Sequence, residues 1–171
     1  MSDPVTDSLS DLLDDPRVIW TEDVLRFGDT DAIGHVNNSV FSVLCESGRV
    51  NLFRTRIDPT LPKGRYFVIA HLAIDFLTEL HYPGRVRTGT WLTRLGRSSM
   101  SLEQVIVSGE TLAARAKAVC VLMDRSTRRP TPFSDETRKL AEGLVRTTRH
   151  KRRRARRLSR TGEAESAEPT G

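Results

Sequence analysis

Asp29 and Asp31 stand two residues apart in Phe27-Gly28-Asp29-Thr30-Asp31, and Gly34, His35, Asn37 and Asn38 follow closely. The run from Gly28 to Gly34 is rich in turn formers. After Asn37-Asn38 the pattern changes. Phe41, Leu44, Cys45, Gly48 and Leu52 recur at three- and four-residue steps, which predicts the buried face of a helix. Either Asn suits the N-cap, because its side-chain oxygen can accept a backbone N–H of the first turn. A carboxylate therefore stands just upstream of a helix start whose free N–H groups can receive negative charge. That pairing suits chemistry at an activated carbonyl. The N–H groups stabilise the oxyanion, and the carboxylate takes a proton from water or attacks the carbon itself. An Asp in such a run also serves simply to tie a turn, and spacing alone favours that role.

The elements that must position these residues follow in order. Residues 17–27, RVIWTEDVLRF, read as a first strand with neither side cleanly apolar, which suits an edge or an interface. After the helix, Asp58 to Gly64 is a loop. Residues 66–77 alternate strongly: Tyr66, Val68, Ala70, Leu72, Ile74 and Phe76 share an apolar face, which is expected to meet the helix. Tyr82-Pro83-Gly84 turns into a third strand over 85–95, and Gly96-Arg97-Ser98 turns into a fourth over 99–108. Residues 111–123 are rich in alanine, which favours a helix, yet they alternate and follow a short turn, so they read as a strand. Ser134 caps a short helix that fades near Val145, with Asp135 and Glu136 in its first turn. One helix cannot cover both faces of such a sheet, so a second copy is expected to complete the core or the sheet edge.

The chain has 171 residues, enough for one domain with a real core. Its net charge of +5 misleads. Residues 146–160 hold nine Lys and Arg and no acid, and residues 161–171 hold three Glu, leaving 18 basic and 19 acidic residues in 1–145. The reading is thus an acidic flexible lead-in (1–16), a domain (17–145) and a basic, then acidic, disordered tail (146–171). Interleaved aromatics are absent from the tail, which argues against base stacking. No secretory signal and no membrane-spanning apolar run is seen, so a cytoplasmic location is expected. Cys45 and Cys120 lack metal or redox spacing and read as buried thiols. His71 and Asp75 stand four apart without metal-ligand company, so no metal is expected.

The stretch Phe27 to Asp31, with Gly34-His35-Val36-Asn37-Asn38 and Glu46 on the helix, resembles the 4-hydroxybenzoyl-CoA thioesterase-like family of hotdog-fold acyl-CoA thioesterases. Looser agreement continues in Ile74-Asp75-Phe76-Leu77 and Leu95-Gly96-Arg97-Ser98-Ser99, and the similarity spans residues 17–125. Two departures stand out: Pro83-Gly84-Arg85 where a Gly-Asp is common, and Ser39-Val40 where an aromatic is common. The resemblance implies an α+β fold, a five-stranded antiparallel sheet wrapped around a long central helix. It implies hydrolysis of an acyl-CoA without a cofactor, in a homodimer or homotetramer with active sites at the subunit boundary. It further implies Asp31 as the catalytic carboxylate and a backbone N–H near Asn38 as the oxyanion donor.

Other residues carry paired readings. Asp29 is taken as structural. Gly34 either permits a positive φ or close ligand approach, or is an ordinary turn glycine. His35 either hydrogen-bonds near the thioester or is a satisfied polar group before the helix. Glu46 either orients water or a loop, or is a solvated helical Glu. Arg97, Ser98 and Ser99 either meet the pantetheine or phosphates of coenzyme A or form a surface turn. Two rival functions remain: a non-catalytic acyl-binding module, and binding of nucleic acid or anionic lipid through residues 146–160. A hydratase is disfavoured, because no Asp-x-Asn-Pro-x-His pattern is present.

Overall fold

The computed structural model describes residues 8–146. The expected tail beyond Arg146 and residues 1–7 lie outside the described residues. The elements are α1 (Leu9–Leu13), β1 (Ile19–Leu25), α2 (Asn38–Leu52), β2 (Arg65–Phe76), β3 (Gly84–Leu95), β4 (Ser99–Ser108), β5 (Thr111–Asp124) and α3 (Asp135–Leu144). A π-helical turn, Phe53–Ile57, and a 3-10 turn, Asp58–Thr60, continue α2. The strands form one antiparallel sheet in the order β1-β3-β4-β5-β2, with α2 packed across one face. This is the α+β arrangement expected from the sequence. The alanine-rich segment is indeed a strand, and β1 does lie at an edge. Among the described residues no helix is long and apolar enough to cross a membrane.

The buried stripe of α2 is the expected one: Phe41, Leu44, Cys45, Gly48 and Leu52 all face the sheet. Each fully buried Leu or Phe contributes about 1.5–3 kcal/mol. Two bulges alter the expected strand faces. The pairing of β2 with β5 slips between Ile69 and His71, leaving Ala70 extra. An extra residue inverts the alternation on either side of it. Leu72 and Ile74 keep the helix side, and Phe76 meets Phe41 edge-on at 5.1 Å. Upstream, Phe67 rather than Tyr66 or Val68 takes that side, stacked on Phe53 at 4.3 Å. Tyr66 lies against the Arg125 guanidinium instead. Likewise Ala113 is extra in β5, so Ala113 and Ala114 both join the helix-side core while Leu112 joins the opposite face.

Part of the stretch expected as a flexible lead-in packs on the sheet, with the short helix face that Leu9, Leu12 and Leu13 allow. Ser8 caps α1, and Leu12 is 1% exposed. It packs with Val18, Trp91, Val105 and Val107 on the sheet face opposite α2, so part of that face is covered from within the chain. Asp15 clamps this segment. Its carboxylate accepts from Arg17 Nη2 at 2.7 Å and from Arg146 Nε at 2.8 Å, and the Arg17 hydrogen bonds hold it well below the usual carboxylate range. The outer edge of β2 stays open, with Ile69 and Phe76 about half exposed.

Helix and sheet approach closely at Gly48. A Cβ there would lie 2.6 Å from Thr90 Oγ1, 2.8 Å from Thr88 Cγ2 and 2.9 Å from Gln104 Nε2. These neighbours are short or hydrogen-bonded side chains on packed strands. Gln104 Nε2 donates to the Cys45 carbonyl and to Thr90 Oγ1, both at 2.8 Å, and its Oε1 accepts from Arg49 Nη1 at 3.0 Å. Gly48→Ala gains about 1 kcal/mol in helix propensity but incurs about 1–3 kcal/mol of overpacking. The overpacking wins here because no neighbour can withdraw. Chemical denaturation should therefore show a lower unfolding midpoint for Gly48→Ala.

Burial pushes the Cys45 and Cys120 thiols up to about 11 from an ordinary 9.0. The unfolded chain releases these protons near 9.0, and the folded chain holds them to about 11. The folded state thus binds more protons in that window, and stability falls as pH rises through it. Unfolding midpoints followed upward from about pH 8 should drop across this window. A thiol-reactive disulfide dye at about pH 8 should find no native thiol and two after unfolding.

Candidate active site

The turn-rich run folds as a short hairpin. A 3-10 turn, Phe27–Asp29, opens it, with Asp29 Oδ2 accepting from the Arg26 N–H at 2.7 Å. Thr30 and Val36 then pair as an antiparallel bridge. The Asp31 N–H donates to the His35 carbonyl and the Asn37 N–H to the Asp29 carbonyl, both at 2.8 Å. The residues bearing the two carboxylates thus run alongside the residues that lead into α2.

Asp31 is half-buried and folded back over the turn. Its Oδ1 accepts from the Ile33 N–H at 2.9 Å and from the His35 N–H at 3.1 Å. Among the described residues Oδ2 makes no hydrogen bond, so one oxygen holds the turn and the other is not engaged by it. Gly34 adopts φ 86°, the left-handed conformation its position required. A Cβ there would meet nothing within 4 Å, so the glycine answers to backbone conformation rather than crowding.

The helix start distinguishes the two asparagines. Asn37 is the N-cap: its Oδ1 accepts from the Ser39 N–H at 2.9 Å and the Ser39 hydroxyl at 2.8 Å. Asn38 is the first helical residue, and its N–H has no intrahelical carbonyl available. The capping role belongs to Asn37.

Other expected site residues lie elsewhere. Glu46 is exposed on the outer side of α2, beside exposed Val43 and Val50. Arg97, Ser98 and Ser99 occupy the β3–β4 turn, where the Arg97 carbonyl accepts from the Phe133 N–H and the Ser98 carbonyl from the Leu122 N–H. That turn is at the far end of β3 from Gly84, on the order of 40 Å away at about 3.3 Å per residue. One chain does not bring it to Asp31. A cleft of about 450 Å³ at the other end of α2 is lined by Phe53, Arg54, Lys63, Arg65, Tyr66 and Phe67.

The hairpin also carries a grouping that sequence reading missed. His35 is bridged to His81, and both imidazole Nε2 atoms lie 3.3 Å from the Glu79 carboxylate. Local pattern held a faint signal for half of it. In Glu79-Leu80-His81 an apolar residue separates two polar ones, so an extended segment with Leu80 inward presents both outward. Nothing local pairs that segment with His35. His71 and Asp75, the pair considered from sequence, are exposed on β2.

The family model described as the thioesterase-like superfamily matches residues 25–140 of this chain. No curated protein sequence matches it. A solved thioesterase from Thermus thermophilus, complexed with coenzyme A and Zn, is 33% identical, with a TM-score of 0.64 over 72% of this chain and 96% of its own. A Bacillus stearothermophilus protein described as a predicted thioesterase is 27% identical, with a TM-score of 0.70 over 77% of this chain and 98% of its own. A DHNA-CoA thioesterase from Staphylococcus aureus, 18% identical with a TM-score of 0.66 over 74% of this chain and 92% of its own, shares the fold. The family match covers more than half of the chain, across the hairpin, α2 and all but the first strand. The chain belongs to the thioesterase-like superfamily.

Proposed function

We propose that this chain hydrolyses an acyl-CoA thioester to the free acid and coenzyme A. The observation that carries the reading is the Asp31 hairpin, in which a half-buried carboxylate keeps one oxygen out of the turn's hydrogen bonds and whose returning arm leads into the N-terminus of α2. Family membership supports it, as does the related thioesterase solved with coenzyme A.

In this reading the thioester carbonyl sits against the Asn38 N–H, where the helix end stabilises negative charge as it develops on oxygen. Asp31 then acts by one of two routes. As general base it takes a proton from water while the water oxygen bonds to the acyl carbon. The C–S bond breaks, and the departing thiolate is protonated. As nucleophile it forms a mixed anhydride and expels the thiolate, and water then hydrolyses the anhydride. Gly34 and His35 flank the acyl group. The open edge of β2 supports assembly as a homodimer or homotetramer. Arg97, Ser98, Ser99 and Glu46, remote from Asp31 within one chain, would then meet coenzyme A held at a neighbouring copy's site.

Asp31→Asn separates charge from structure, because the amide oxygen still accepts from Ile33 and His35 and keeps the turn. A panel of acyl-CoAs followed with a thiol-trapping dye should show turnover by the parent chain. For Asp31→Asn it should show a loss of about a hundredfold or more in kcat. Full activity in Asp31→Asn would remove Asp31 from catalysis. Saturable acyl-CoA binding without turnover by the parent chain would instead make the domain a binding module.

A further inference from the structure

The geometry points to a divalent transition-metal site formed by His35, Glu79 and His81. Its readout is metal binding, so it stands or falls separately from the thioesterase reading.

The site is built by alternation on a short ladder. The Val36 N–H donates to the Leu80 carbonyl at 2.8 Å, and His35 bridges His81. Val36 and Leu80 are 4% and 3% exposed and belong to the core beneath α2. Their neighbours His35, Glu79 and His81 must therefore point the other way. Two segments far apart in sequence thus deliver three side chains to one outward face.

The ligand set is specific in kind. Two imidazoles and one carboxylate suit zinc and its first-row neighbours rather than magnesium or calcium, which take oxygen ligands. Three protein ligands leave a position for water or an exogenous group. Glu79 Oε2 is 3.3 Å from His35 Nε2, and its other oxygen, Oε1, is 3.3 Å from His81 Nε2, so one carboxylate already reaches both rings. Ligand atoms of a tetrahedral zinc lie about 3.3–3.4 Å apart, which the three side chains reach by closing slightly. One ligand atom from each residue can be chosen so that all three lie within 4.8 Å of one another. The two rings meet edge to face at 5.1 Å. The three side chains are 36–57% exposed, which lets an ion reach them and lets them contract around it.

The competing account is a metal-free contact in which Glu79 alone bridges two imidazoles. Zinc uptake decides between them. The full-length chain, stripped with a chelator, is dialysed at about pH 7.5 against ZnCl2 and, separately, MgCl2, and bound metal is counted. One zinc per chain and no stoichiometric magnesium is expected. His81→Ala and Glu79→Gln should each weaken zinc binding about tenfold or more. The double variant His71→Ala/His150→Ala should bind as the parent does. Cobalt(II) in place of zinc should give a visible d–d spectrum that His81→Ala abolishes. The proposal fails if the parent chain takes up no zinc, if His81→Ala and Glu79→Gln bind as tightly as the parent, or if the His71/His150 double variant is the one that loses zinc.

Discussion

The structure depends on how closely α2 can approach the sheet. Gly48 lets the helix backbone settle onto Thr88 and Thr90, where any side chain would collide. Gln104 converts that closeness into a fixed position, because its amide bonds to the helix carbonyl of Cys45, to Thr90 across the sheet and to Arg49 along the helix. A buried amide is costly unless its hydrogen bonds are made. Sliding α2 along the sheet would break these bonds, so the helix is held in place. Its N-terminus is held with it, and the Asp31 hairpin leads into that end.

The hairpin is a largely self-contained device. Asp29 and Asp31 each bond to backbone N–H groups within four residues. Its attachment to the body runs through Val36 and Leu80, whose backbones pair and whose side chains enter the core. One ladder therefore has two uses. Its inner side anchors the hairpin, and its outer side carries His35, Glu79 and His81. The turn that holds Asp31 and the cluster of candidate metal ligands share a support without sharing a side chain.

Strand faces show where periodicity stops being sufficient. The alternation of β2 is genuine, but the bulge at Ala70 reverses it, so that Phe67 rather than Tyr66 reaches Phe53. The same happens at Ala113, which sends Leu112 to the opposite face. An extra residue leaves no mark in a pattern of apolar and polar positions, because it is set by pairing with the neighbouring strand. The burial of Leu12 was hidden for a related reason. The acidic composition around it suggested solvent, and only the apolar surface of Trp91, Val105 and Val107 gave it somewhere to pack.

What the sequence determined on its own was what short-range physics controls. It marked the face of α2, the order and type of the strands and the turn from Gly28 to Gly34. Each of these follows from residue type and spacing over a few positions. It also narrowed the N-cap to Asn37 or Asn38, and the hairpin's register selected Asn37. Tertiary structure alone decided which strand residues face the helix, which residues stand remote from Asp31, and that Glu79 and His81 meet His35. Those outcomes require segments distant in the chain to be brought into register, and that register is set by backbone pairing and packing, which no local pattern encodes.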